Sequence, residues 1–111
     1  MSISTHVLDT ARGCPAGGIT VTLERWEDGA WTVLDQGPTD EDGRRKGLLA
    51  GAEARAGLHR ISFEIGPYHD ALGVEGFYPR AAIEFQVTAP EQHHHVPLLL
   101  SPFGYSTYRG S

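Results

Sequence analysis

Ile19–Trp26 reads ITVTLERW, and whether these residues form a helix or a strand decides the fold. Ile19, Val21 and Leu23 fall on one face at a period of two, while Thr20, Thr22 and Glu24 fall on the other, which is the beat of a half-buried strand. Working outward, the same beat recurs. Residues 60–66, RISFEIG, set Ile61, Phe63 and Ile65 inward, and residues 81–87, AAIEFQV, set Ile83, Phe85 and Val87 inward against Glu84 and Gln86. Turn-forming runs separate these stretches: RGCPAGG at 12–18, EDGA at 27–30 and TDEDGR at 39–44. Only PYHDALGV at 67–74 reads as a helix, opened by Pro67 in a first turn and closed by Gly73 or Gly76. Seven or eight short strands at this spacing predict an all-β protein, a two-sheet β-sandwich.

The chain has 111 residues, enough for one domain over 1–111 but poorly suited to walling off a deep pocket, so subunits are expected to build a site together. An apolar fraction of 40% and a charged fraction of 21% are ordinary for a folded protein. With a formal charge of −5, and basic residues scattered except at Arg44, Arg45 and Lys46, nucleic acid is excluded as a partner. No apolar run approaches a membrane span, and MSISTHVLDT lacks the pattern of a secretory signal, so no membrane partner and a cytoplasmic location are expected. The single cysteine, Cys14, has no internal disulfide partner and no adjacent base, and reads as a small loop residue.

Chemistry concentrates near the end of the chain. In HHHVPLLLSP (93–102), Val96, Leu98 and Leu100 are expected to face the core, which turns His93, His95, Pro97 and Leu99 to the other side, where a subunit or ligand meets them. Three successive histidines raise a metal reading, but no cysteine or spaced histidine pair completes a four-ligand set; no metal and no cofactor are expected. His6 sits in the first strand, STHVLDT; His59 and His69 read as surface residues. His6, Arg44, His95, Tyr108 and Ser111 together offer a base, a cation and hydroxyl donors, although spacing alone leaves their convergence open. Nucleotide-binding glycine patterns and a Ser-His-Asp signature are missing.

THVLDTARGCPAGGITVTLE (5–24), TDEDGR, FYPRAAIEFQV (77–87) and HHHVPLLLSPFGYSTYRGS (93–111) resemble the transthyretin-related family over essentially the whole chain. The closing YRGS (108–111) resembles its hydrolase branch rather than its hormone carriers. The resemblance implies a transthyretin-like β-sandwich of two four-stranded sheets with one short helix, assembled as a homotetramer whose sites open into a channel between dimers. It implies a small-molecule substrate, 5-hydroxyisourate, hydrolysed to 2-oxo-4-hydroxy-4-carboxy-5-ureidoimidazoline in urate breakdown. The implied catalytic residues are His6, Arg44, His95 and Ser111, with His6, Arg44 and Tyr108 binding substrate. Either histidine serves as the base, Arg44 or its neighbour Arg45 as the cation, and the Ser111 carboxylate is expected to polarise a histidine. The alternative is a carrier that binds a flat aromatic molecule in the same channel without turning it over.

Overall fold

In the computed structural model, residues 2–45, 49–50 and 55–111 are described; Lys46 lies outside them. The ITVTLERW stretch is a strand, β4 (Thr20–Glu27), and its hairpin partner is β5 (Ala30–Pro38). Asp28 and Gly29 at the turn both take positive φ, 50° and 79°, the geometry that matches the twist of a two-residue hairpin. Register shifts after Leu23, so Leu34 is the extra residue of a bulge. β7 (Gly57–Phe63) pairs with β4, and β8 (Ala81–Val87) with β7, completing one antiparallel sheet ordered β5-β4-β7-β8.

The second four-stranded sheet is β11-β10-β2-β3: β2 (Val7–Asp9) runs parallel to β10 (Leu98–Ser101), flanked by β3 (Cys14–Pro15) and β11 (Gly104–Thr107). A short three-stranded sheet, β6 (Leu49–Ala50), β1 (Ser2–Ser4) and β9 (His94–His95), lies beside it in sequence continuity with β2 and β10. The first strand is therefore interrupted at Thr5 and His6, and the histidine-rich strand at Val96 and Pro97. Pro97, expected to face outward, is buried. It stands where the strand is interrupted and cannot donate to a ladder.

Between the sheets lie Val7, Ile19, Val21, Leu23, Ile61, Phe63, Leu98 and Leu100, all without solvent exposure, each stabilising the fold by about 1.5–3 kcal/mol on burial. The expected inward faces hold, with one change: Ile65 is buried as the first residue of helix α1 (Ile65–Ala71), not as the end of a strand. Pro67 sits in that helix's first turn, where a missing N–H costs nothing. Gly73, at φ 69°, ends it: its N–H donates to Asp70 O and the Val74 N–H donates to His69 O, both at 3.0 Å, a Schellman arrangement.

His59 and His69, expected at the surface, are buried at 0% and 3% exposure. His59 alternates in phase with Ile61 and Phe63 and stacks on Phe85, with 5.6 Å between ring centroids. His69 follows Ile65 by four residues and so shares the helix's inner face.

Candidate active site

The site begins in the 39–44 turn. The Asp40 carboxylate accepts from the backbone N–H groups of Asp42 and Arg44 at 2.9 and 3.0 Å, an Asx-type clamp. Gly43 takes φ 74°, and a Cβ there would collide with the Val7 carbonyl, so only glycine allows the turn to press against the first strand. The Val7 N–H donates to Gly43 O at 2.8 Å. This docking pairs Arg44 antiparallel with His6, across the interruption in the first strand. Directly opposed residues of a pair share a face, so the guanidinium and the imidazole start side by side.

Ser4 and His6 alternate with the buried Ile3, Thr5 and Val7, and therefore point away from the core. Ser4 pairs in parallel with His95. Its Oγ lies 2.8 Å from His95 Nδ1 and 2.9 Å from His93 Nε2, and the two rings are nearly parallel with centroids 6.4 Å apart. On the other side of His95, the Gly110 N–H donates to the His95 carbonyl at 2.8 Å, and Gly110 packs so closely on the ring that a Cβ would overlap it. Arg109 Nη2 donates to Gln92 Oε1 at 3.2 Å. Arg109 and Gly110 thus fasten the YRGS segment beside the histidine strand.

The His95 ring is half-buried, and its pKa is lowered from 6.5 by that burial first and then by His93, Arg44 and His6, whose positive charge would oppose its own. His6, Arg44 and His95 therefore share one electrostatic neighbourhood. Ser111 is exposed and follows Gly110 directly. Tyr108 is further round: with Ile83, Phe85, His94, His95 and Val96 it lines a cleft of about 280 Å³, at the small end for a ligand site.

The two adjacent arginines separate cleanly. Arg45 is held by Asp35, its Nε and Nη2 each donating to a carboxylate oxygen at 3.1 Å, and its guanidinium packs on Gly37. Arg44 forms no side-chain ion pair among the described residues. No group of three or more His, Cys, Asp or Glu residues is arranged to hold a metal ion, again among the described residues.

A family model described as HIUase/Transthyretin family matches residues 3–110. The chain belongs to the HIUase/Transthyretin family. It is 45% identical over 109 residues to the 5-hydroxyisourate hydrolase of Salmonella typhimurium, covering 98% of this chain and 80% of the relative. The solved Klebsiella pneumoniae 5-hydroxyisourate hydrolase superposes with a TM-score of 0.86 at 37% identity, covering 99% of this chain and 93% of that one. Sea bream transthyretin in complex with thyroxine superposes at 0.92 with 31% identity, covering 99% and 95%.

Within this family fold, sequence reading missed Ser4 and the partnership of His93. The signal was present: Ser4 and His6 stand two apart, as do His93 and His95, so each pair belongs to one face. What spacing did not supply was the parallel register that lays the two pairs together.

Proposed function

We propose that this chain catalyses the ring-opening hydrolysis of 5-hydroxyisourate to 2-oxo-4-hydroxy-4-carboxy-5-ureidoimidazoline in urate breakdown; its relatives are named as hydrolases of 5-hydroxyisourate. The observation that carries the reading is the pairing of a low-pKa imidazole, His95, with a guanidinium and a second imidazole on one face. A carrier needs no such combination. His95, neutral at cellular pH, takes a proton from water as the oxygen adds to a ring carbonyl. Arg44 stabilises the oxyanion that forms; collapse breaks the ring C–N bond, the proton held by His95 goes to the departing nitrogen, and the new carboxylic acid gives up the second water proton to solvent to become a carboxylate. His6, Tyr108 and Ser111 orient substrate and water.

The whole chain, 1–111, acts as one hydrolase domain, and four copies surround a channel into which the sites open. The small cleft and the paired Leu8 and Leu99, half-buried on the His95 side of the sheet, support a neighbour completing each site. A free, partly buried Cys14 fits a reducing compartment, the cytoplasm. No helix among the described residues is long and apolar enough to cross a membrane.

The test is optical. 5-Hydroxyisourate is generated in place with urate oxidase, and its ultraviolet decay is followed with and without the protein. Acceleration supports the hydrolase. An unchanged decay supports the second reading, a carrier of a flat aromatic molecule, which the likeness to a thyroxine-bound transthyretin favours.

A further inference from the structure

We infer that Ser4 is a positioning residue: its hydroxyl accepts from His95 Nδ1–H and donates to His93 Nε2, holding His95 with a bare Nε2 as the base of the reaction. This rests on the hydrolase reading above and adds what orients the base named there. A serine hydroxyl has one proton and two lone pairs, so between two neutral imidazoles it can accept from one while it donates to the other. Ser4 Oγ is within hydrogen-bonding distance of both rings, 2.8 Å from His95 Nδ1 and 2.9 Å from His93 Nε2.

The chain of bonds therefore has two orientations. If Ser4 donates to His95 Nδ1, the His95 proton must sit on Nε2, and that nitrogen cannot take a proton from water. If Ser4 donates to His93 Nε2, His95 carries its proton on Nδ1 and presents a lone pair at Nε2. Only the second orientation leaves a ring nitrogen of His95 able to take a proton from water, and it is the one the reaction needs. Among the described residues, the side chains that perturb His95 are the basic His93, Arg44 and His6, and the Ser4 hydroxyl is the group within hydrogen-bonding distance of Nδ1. The parallel register of Ser4 with His95 fixes the distance through the backbone, and the Val96 N–H donating to Ser4 O at 2.9 Å holds that register without the side chain. Ser4→Ala should therefore fold.

The experiment combines ring-nitrogen NMR of His95 with steady-state kinetics across pH for the wild type, Ser4→Ala and Ser4→Thr. The wild type is expected to show the Nδ1–H tautomer. Ser4→Ala is expected to shift the ring toward Nε2–H and to lower kcat about tenfold or more, part of the about 10²–10⁴-fold that a general base supplies, with little change in KM. It should also move the acid limb of the rate profile to lower pH, because the imidazolium loses an acceptor. Ser4→Thr keeps the hydroxyl and should restore tautomer and rate. A wild-type ring already in the Nε2–H form, or a Ser4→Ala variant with unaltered tautomer and pH profile, overturns the assignment. If the wild type fails to hydrolyse 5-hydroxyisourate, the functional reading falls, and the tautomer still decides whether Ser4 orients His95.

Discussion

His95 and Arg44 have different tasks, and their variants should separate. Replacing His95 with Ala removes the base and is expected to cost about 10²–10⁴ in kcat. In the wild type, the lowered His95 pKa keeps the imidazole neutral below pH 6.5. The rate should hold as the pH drops past that value and decline only through a midpoint beneath it. Arg44→Ala should cost about 10²–10³ in kcat through loss of oxyanion stabilisation. Arg45→Ala should leave the rate alone and lower stability by at most about 1 kcal/mol, since the pair with Asp35 is partly exposed. Equal rate losses for the two arginines would show that the guanidinium was assigned to the wrong neighbour. At this scale the sequence displayed the reactive groups but not their partners: Arg44 and Arg45 are indistinguishable in a string, and only Asp35, ten residues away, tells them apart.

Two elements place those groups, and both depend on glycine. The 39–44 turn needs positive φ at Gly43 and no side chain against Val7. Gly43→Ala pays both penalties. We expect a loss of about 1–3 kcal/mol or more in unfolding free energy, measured by denaturant titration, together with reduced kcat as Arg44 is displaced. Gly110→Ala should instead disturb the His95 ring directly, lowering kcat with a smaller stability change, because a Cβ there meets a half-buried side chain outside the core rather than backbone. Strands, hairpin turn and helix stop were legible because their signals are local: period-two alternation in 19–26, Asp28-Gly29, and Gly73 after an apolar helix face. His59 was legible too, in phase with Ile61 and Phe63, but its polar side chain argued for the surface. Arg25 shares that buried face and is paired with Glu27 at 3.1 Å, and no local pattern announces such a polar interior.

Over the whole molecule, His59 and His95 couple folding to pH. His59 has its pKa lowered from 6.5, by burial above all and then by the positive charge of Arg25 and the proximity of His94; His95 is lowered likewise. Above 6.5 both rings are neutral folded or unfolded, and neither contributes. As the pH falls through 6.5 the unfolded chain takes up protons first, so stability drops until the folded pKa values are passed. Melting temperature should therefore decline on acidification from pH 7, and His59→Phe should flatten that decline. A melting temperature that rises toward pH 5.5 would contradict the account. The sandwich was readable from the strand count, whereas the joining of chain start, central turn and chain end was not, because it depends on isolated antiparallel bridges, His6 with Arg44 and His95 with Gly110, and on the parallel pairing of Ser4 with His95, 91 residues apart. Assembly also belongs to this scale: light scattering should give four times the monomer mass of 12.1 kDa.

The proposed reaction requires His6, Arg44 and His95 to surround a single ligand. Histidine ring NMR tests it most directly, with a planar, non-hydrolysable analogue of 5-hydroxyisourate titrated into the protein. The His6 and His95 resonances should move together at one saturation point while those of the interior His59 and His69 stay still. Movement of the interior rings with His6 and His95 unmoved would contradict it.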